Sequence, residues 1–190
     1  MNPLIGPLRA WAWQRIKSKI RAQFPTVEPI STQMLATWLE QASKPTLLDV
    51  RRAEEFAVSH LSAAQHTPDL EAVRQAKLAP DQPIVAYCSV GYRSARLAQQ
   101  LQQAGFTRVY NLEGSIFQWF NEGRQVVQNG QAVNQVHPYN RLWGMLLKPA
   151  ESLLQGQKRN YGDHVVGVEV SNEVDQSQQQ TNAQDHGKGN

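Results

Sequence analysis

Short apolar segments alternate with helical patterns along the middle of the chain. The runs "TLLDV", "PIVAYC" and "RVYNL" have the length of buried strands. Amphipathic stretches lie between them, and the clearest, "ARLAQQLQQAG", ends at Gly105, a residue type that commonly terminates helices. Strands that alternate with helices predict an α/β fold with a mostly parallel central sheet flanked by helices. We expect this domain to span residues 30–127.

A basic segment precedes the predicted domain. From Leu8 to Phe24 the sequence "LRAWAWQRIKSKIRAQF" contains five cations and no acid, and its apolar residues recur at near-helical spacing. We therefore expect an amphipathic basic helix and a linker in residues 1–29, with the tryptophans and isoleucines packed on the domain. Contact with an anionic membrane surface or an acidic partner is the alternative. It is less favoured, because the apolar stripe is narrow.

Two further segments follow the predicted domain. Residues 128–154 contain a small apolar cluster in "RLWGMLL", which predicts an extension with a short helix that docks back on the domain. Residues 155–190 are rich in Gln, Asn, Asp and Gly. Such a segment cannot bury enough apolar surface to offset the entropy of ordering it. We predict that it is a disordered polar tail.

Composition excludes several classes of protein. The 190 residues include one cysteine, which excludes an intrachain disulfide and a cysteine-clustered zinc site. A single cysteine favours a reducing compartment, and we expect the cytoplasm. No segment reaches the roughly 20 apolar residues of a membrane-spanning helix, and the start "MNPLIGPLRAWAW" lacks the basic leader of a signal peptide. The net charge of +3 is too small to indicate nucleic-acid binding.

Cys88 lies where the best predicted strand meets the best predicted helix. Ligands of open α/β sheets bind at the carboxyl ends of strands, and the N–H groups and dipole at a helix start favour a thiolate. Arg93 and Arg96 add positive charge, and Gly91 permits a positive φ that turns loop N–H groups toward an anion. The pattern predicts a nucleophilic sulfur. A small buried apolar cysteine is the alternative, which the glycine and arginines of this loop disfavour.

Three segments, in this order, resemble a rhodanese domain, the sulfurtransferase fold: "LLDVRRAEEFAVSHLSAA", "YCSVGYRSARLAQQLQQAGF" and "VYNLEGSIFQWFNEG". The resemblance implies that a thiolate takes the outer sulfur of a donor such as thiosulfate, forms a persulfide and passes this sulfur to a thiol or cyanide. It also implies that backbone N–H groups hold the persulfide and that Arg93, with Arg96 as a weaker candidate, attracts the donor anion. The active-site loop implied by the resemblance consists of Cys88, Ser89, Val90, Gly91, Tyr92 and Arg93.

The resemblance also assigns residues around this loop. Asp49 and Arg51 match the family's Asp-Val-Arg element and are expected to be scaffold and rim residues. His60 is expected to pack or hydrogen-bond, because a persulfide relay needs no base once the thiol is ionised. We expect no cofactor and no metal. The expected partners are a small sulfur-containing anion as donor and a thiol, or a protein, as acceptor.

Two alternative functions use the same fold. Similar dual-specificity phosphatases and arsenate reductases have a loop one residue longer, Cys-x5-Arg, wide enough for a tetrahedral oxyanion. Here four residues separate Cys88 from Arg93, and Ser94 lies where a phosphatase needs its arginine. The third class is a non-catalytic interaction or regulatory module. Such domains usually lose the cysteine, which this chain retains.

Overall fold

Five parallel strands form the central sheet in the computed structural model, which describes residues 5–148. The strands are β1 (Glu28–Ile30), β2 (Thr46–Asp49), β3 (Gln65–His66), β4 (Ile84–Tyr87) and β5 (Val109–Leu112). Their order across the sheet is β1-β5-β4-β2-β3, and every neighbouring pair is parallel. The predicted tail, residues 155–190, lies outside the described residues.

Helices flank this sheet, and a β-hairpin follows it. The helices are α1 (Ile5–Gln23), α2 (Thr32–Leu39), α3 (Ala53–Val58), α4 (Leu70–Gln75), α5 (Tyr92–Gln103), α6 (Ser115–Asn121) and α7 (Arg141–Gly144). The hairpin consists of β6 (Val126–Gln128) and β7 (Gln131–Val133). The predicted α/β class, with a mostly parallel sheet flanked by helices, is confirmed.

Strand β4 lies in the middle of the sheet and is buried along its whole length. Val85 and Tyr87 belong to an apolar cluster that includes residues of α2 and α6. Ile84 and Ala86 belong to a second cluster, which includes residues of α4 and α5. Successive side chains of a strand point to opposite faces, so both faces of the sheet are covered. This double burial explains why the sequence of β4 is continuously apolar.

Two elements of the structure were not predicted from the sequence. Strand β1 pairs with β5 at one edge of the sheet and lies largely in the segment that we assigned to the linker. The hairpin turns at Asn129 and Gly130, whose φ angles of 49° and 76° suit a two-residue hairpin turn. An Asn-Gly pair is a strong hairpin signal, and here apolar residues lie one position beyond the glutamines on either side of it, so this element was predictable.

Helix α1 packs against the domain. Trp13 and Ile16 contact the first cluster, whereas Ile20 is buried in the second. Trp11 remains 61% exposed, so one of the two tryptophans expected to pack does not. Lys17 and Arg21 also form ion pairs with Glu113, with N–O distances of 3.5 and 2.6 Å. Within residues 5–148, no helix has both the length and the apolar character that crossing a bilayer requires.

A buried ion pair lies at the end of β2. The Asp49 carboxylate accepts hydrogen bonds from Nε of Arg51 at 2.9 Å and from Nη2 at 2.7 Å, and Nη2 also donates to the Ser59 carbonyl. Both charged side chains are fully buried. The pair therefore ties β2 to the segment that leads to β3, and neither side chain is exposed at the surface.

Replacing Arg51 by leucine leaves the Asp49 carboxylate buried without its counter-charge. We expect the free energy of unfolding, measured by chemical denaturation, to fall by about 3–5 kcal/mol. Arg74→Leu is the control, because Arg74 is 63% exposed and pairs with an exposed Glu71, and it should cost less than about 1 kcal/mol. Equal stability losses in the two variants would contradict a structural role for the buried pair.

Candidate active site

The backbone of the loop after β4 is fixed to the start of α6 by three hydrogen bonds. The Cys88 N–H donates to the Ser115 hydroxyl at 3.1 Å. The Cys88 carbonyl accepts from the Ile116 N–H at 3.2 Å, and the Ser89 carbonyl accepts from the Phe117 N–H at 3.1 Å. These bonds hold the first two residues of the loop in place independently of their side chains.

Gly91 turns the loop back toward the sulfur. Its φ is 112°, a value that L side chains rarely adopt, and its N–H donates to the Cys88 sulfur at 3.2 Å. The positive φ predicted from the sequence is confirmed. Helix α5 begins at the next residue, and the N–H groups of a first helical turn lack intrahelical acceptors. The Cys88 sulfur therefore accepts hydrogen bonds from Gly91 and from Ser94 in the first turn of α5.

Cys88 combines burial with a positive electrostatic environment. The residue is 1% exposed. Burial opposes ionisation, but the charge of Arg93 and hydrogen bonds from the backbone of Ser94 and Gly91 outweigh it and lower the pKa of the Cys88 thiol below its ordinary value. This is the direction that the sequence predicted. Cys88 can therefore present a thiolate, the nucleophilic form of cysteine.

Glu55 organises this loop from α3, and the sequence analysis missed it. Its buried carboxylate accepts hydrogen bonds from both terminal nitrogens of Arg93, each at 2.8 Å, and from the Ser89 hydroxyl at 3.0 Å. Glu55 lies three residues after Arg52, the spacing at which a glutamate accepts a hydrogen bond from the backbone at the start of a helix. The Arg52 N–H donates this bond to the Glu55 carboxylate at 3.1 Å. Nothing local in the sequence indicates the pairing with Arg93, since the two residues are 38 positions apart.

Glu55 and Arg93 stabilise each other's charge. Burial alone would raise the pKa of Glu55, but the hydrogen bonds from Arg93, Arg52 and Ser89, with the charge of Arg93, lower it to about 2. Burial likewise opposes the charge of Arg93, yet its bonds to Glu55 and the charges of Cys88 and Glu55 raise its pKa. The guanidinium is thus fixed beside the sulfur, and part of its charge is neutralised by Glu55 before any donor binds.

A pocket of about 270 Å³ opens at the Cys88 sulfur. Four further loop residues line it, namely Ser89, Val90, Tyr92 and Arg93. Helix α1 forms a second wall, and Tyr139 and Trp143 form a third. None of the residues of these two outer walls was predicted at the site from the sequence.

The other predicted residues lie away from this pocket. Arg96 is exposed on α5 and does not line it. The ring of His60 stacks on Phe56 at 3.9 Å, and its Nδ1 lies 3.1 Å from the Phe56 carbonyl, so His60 packs as expected. Asp49 and Arg51 support β2 from within the core. None of these four residues lines the pocket.

Comparison with known proteins identifies the family of this site. The family model of the rhodanese-like domain matches residues 31–122. A sulfurtransferase of Allochromatium vinosum is 31% identical over 102 residues, which cover 53% of this chain and 95% of that protein. The chain belongs to the rhodanese-like family.

Other relatives are matched over smaller shares of their length. YqhL of Bacillus subtilis, which is uncharacterized, is 38% identical over 78 residues, covering 40% of this chain and 61% of that protein. MoeZ of Mycobacterium tuberculosis, an adenylyltransferase/sulfurtransferase by name, is 34% identical over 101 residues, covering 52% of this chain and 26% of that protein. The chain spans less than two thirds of both relatives.

Replacing Glu55 by glutamine should change how stability depends on pH. The pKa of Glu55 is about 2 in the folded protein, below the ordinary value of about 4.3 for the unfolded chain. The ionised carboxylate therefore stabilises the fold above about pH 4.3, and this contribution disappears as the pH falls toward 2. We expect Glu55→Gln to lower the free energy of unfolding by about 3 kcal/mol near neutral pH and by much less near pH 2.

The neighbouring glutamate provides the control. Glu54 is 61% exposed, and Glu54→Gln should follow the pH dependence of the wild type in the same denaturation series. A stability loss in Glu55→Gln that stayed constant from pH 6 to about pH 2 would contradict the ion-pair interpretation.

Proposed function

We propose that the protein is a sulfurtransferase that moves a sulfane sulfur, through a persulfide on Cys88, from thiosulfate or a related persulfide donor to a thiol or cyanide. The observation that carries this proposal is the setting of the Cys88 sulfur. It accepts a hydrogen bond from the Gly91 N–H, its thiol pKa is lowered by Arg93, and it lies at the base of an open pocket. The sulfurtransferase name of a relative covered over 95% of its length supports the same chemistry.

The transfer proceeds in two balanced steps. The Cys88 thiolate attacks the outer sulfur of thiosulfate, a new S–S bond forms, and sulfite leaves with the electron pair of the bond that breaks. The product is a Cys88 persulfide anion, whose outer sulfur lies among the N–H groups of the loop. A thiolate or cyanide then attacks this outer sulfur, and the Cys88 thiolate leaves. Neither step requires a general base, because both nucleophiles are already ionised.

Arg93 and Glu55 act together in this proposal. Two anions must meet in the first step, and the Arg93 guanidinium lowers the electrostatic cost of that encounter. Glu55 keeps the guanidinium next to the loop by accepting two of its N–H groups. Arg93 is therefore a candidate for donor binding, whereas Glu55 is a positioning residue.

The length of the loop argues against phosphate chemistry. Arg93 follows Cys88 after four residues, one fewer than in the Cys-x5-Arg loop that is wide enough for a tetrahedral oxyanion. The shorter loop offers fewer donors around the sulfur than a tetrahedral phosphoryl group needs. A non-catalytic regulatory module does not require the lowered pKa of the Cys88 thiol.

Sulfur transfer can be tested by intact-mass measurement after incubation with thiosulfate and desalting. We expect the wild type to gain the mass of one sulfur atom and to form thiocyanate when cyanide is added. Cys88→Ser should lose both properties, since it removes the sulfur that forms the persulfide. Thiocyanate formation at the wild-type rate by Cys88→Ser would contradict the proposal.

A thiol placed elsewhere provides the matched control. Ser43 is exposed and distant in sequence from the loop, so Ser43→Cys in the Cys88→Ser background restores a cysteine without the loop. We expect no turnover from it. Hydrolysis of an aryl phosphate that depended on Cys88, without a persulfide, would favour the phosphatase alternative instead.

A further inference from the structure

The segment after β7 places Tyr139 against the loop arginine. This segment follows residues 31–122, which the family model matches. The Arg93 guanidinium lies over the Tyr139 ring, 4.9 Å from the ring centre. At this distance a guanidinium is attracted by the negative face of an aromatic ring. Arg93 therefore has a contact that residues outside the family match supply.

A strained turn presents the Tyr139 ring. Tyr139 has a φ of 62°, in the left-handed region that bulky residues rarely occupy. The Asn140 N–H donates to the Pro138 carbonyl at 2.7 Å. A hydrogen bond that closes three residues around a positive φ is a γ-turn of the rare, strained form. Such strain persists only where the surrounding structure holds it, and it often marks functional positions.

Hydrogen bonds hold the chain on both sides of the turn. Before it, the Gln135 carbonyl accepts from the Ser59 hydroxyl at 2.7 Å. After it, the Asn140 side chain accepts from the Trp143 N–H at 3.0 Å and begins α7. The turn is thus fixed by contacts of the protein itself, independently of any bound molecule.

Gly144 allows α7 to pack closely against the turn. A Cβ atom added at Gly144 would lie 2.9 Å from the Cβ of Pro138, closer than two such atoms can pack. Pro138 directly precedes Tyr139 in the chain, so a side chain at Gly144 would displace the turn. Gly144 itself does not line the pocket. The position of the Tyr139 ring therefore depends on a glycine that lies outside the site.

Tyr139 and Glu55 contact the guanidinium from different sides. Glu55 is 1% exposed and accepts hydrogen bonds from both terminal nitrogens of Arg93. Tyr139 is 37% exposed, so its ring covers the guanidinium from the side of the solvent. The Arg93 side chain is still 31% exposed, and a charge acts more weakly on its neighbours as its contact with water increases. The ring therefore limits the loss of the arginine's effect to solvent.

We propose that Tyr139 is a positioning residue of the sulfur-transfer site, which keeps the Arg93 guanidinium beside the Cys88 sulfur and restricts the access of water to it. This inference rests on the proposed function, in which Arg93 attracts the donor anion. Removing the ring leaves the hydrogen bonds between Arg93 and Glu55, but it exposes the guanidinium and weakens its electrostatic effect at the sulfur. The reactivity of Cys88 then depends on a segment that the family model does not match.

The test is a titration of the Cys88 thiol through thiolate absorbance, in the full chain and without a sulfur donor. The titration of each variant's Cys88→Ser counterpart is subtracted to remove tyrosinate absorbance. We expect Tyr139→Leu, which keeps an apolar side chain without an aromatic face, to raise the pKa of the Cys88 thiol by less than Arg93→Ala does. Tyr139→Phe keeps the ring and should titrate like the wild type. Because no donor is present, contact of Tyr139 with a donor cannot cause the difference.

Two variants of α7 form a matched pair. Gly144→Ala leaves Tyr139 intact but displaces Pro138, and it should raise the pKa of the Cys88 thiol as Tyr139→Leu does. Leu142 is 71% exposed and does not line the pocket, so Leu142→Ala should titrate like the wild type. If Gly144→Ala does not fold, the Tyr139 variants decide the question, because a partly exposed ring can be replaced without opening a cavity in the core.

Kinetics with thiosulfate provide a second measurement. We expect Tyr139→Leu to lower kcat/KM for thiosulfate by about two- to fivefold, the effect of losing one partly exposed contact between a cation and a ring. Tyr139→Phe and Leu142→Ala should keep the wild-type value. Tyr139→Phe is the conservative variant that separates the ring from its hydroxyl.

The outcomes separate this inference from the proposed function. A wild-type thiol pKa in Tyr139→Leu would overturn the inference and leave sulfur transfer standing. A Tyr139→Phe variant that titrated like Tyr139→Leu would also overturn it, because the hydroxyl and not the ring would then be responsible. If Tyr139→Leu raised the thiol pKa in a protein that formed no persulfide from thiosulfate, the proposed function would be contradicted and the contact between Tyr139 and Arg93 would keep its role.

Discussion

The ion pair between Arg93 and Glu55 is the interaction on which the site depends. It connects the start of α5 to α3 and includes the Ser89 hydroxyl, which donates to Glu55 and accepts from Arg93. The position of the guanidinium determines the electrostatic potential at the Cys88 sulfur, and Glu55 determines the position of the guanidinium. A free arginine side chain at the surface would sample many rotamers and stabilise a thiolate less.

Burial strengthens the effect of Arg93 on the Cys88 sulfur, and it also makes the thiolate depend on that charge. Charges interact more strongly away from water, so Arg93 affects a buried sulfur more than an exposed one. The same burial would favour the neutral thiol if Arg93 and the donors of the loop were absent. Strand β4 ends at Tyr87, so Cys88 begins the loop that follows. Groups at the start of α6 hold this loop by hydrogen bonds.

The loop was predictable because its signals are local. An apolar run predicts β4, Gly91 permits the positive φ that it adopts, and the helical pattern after it predicts α5. The resemblance to the rhodanese family rests on this segment and on two others, one before it and one after it, and the family match confirms the resemblance. Local sequence is sufficient here because the strand, the turn and the helix follow one another directly.

The walls of the site were not predictable in this way. Glu55 reaches Arg93, and Tyr139 and Trp143 reach the pocket, through tertiary packing. No spacing pattern in the sequence connects these three residues to Cys88. The predicted C-terminal helix is a single turn, α7, whose role is to place Trp143. The short strand β1 escaped prediction because two of its three residues are exposed, which leaves little apolar pattern to read.

The account is tested most directly by titrating Cys88 through the ultraviolet absorbance of its thiolate. The chain has five tyrosines but no other cysteine, so subtracting the titration of Cys88→Ser removes the tyrosinate absorbance and leaves the signal of Cys88. We expect the pKa of the Cys88 thiol to lie clearly below the ordinary value of about 8.5 and to rise in Arg93→Ala, while Arg96→Ala, an exposed arginine on the same helix, leaves it unchanged. A wild-type thiol that titrated at or above about 8.5, or that did not respond to Arg93→Ala, would contradict the account.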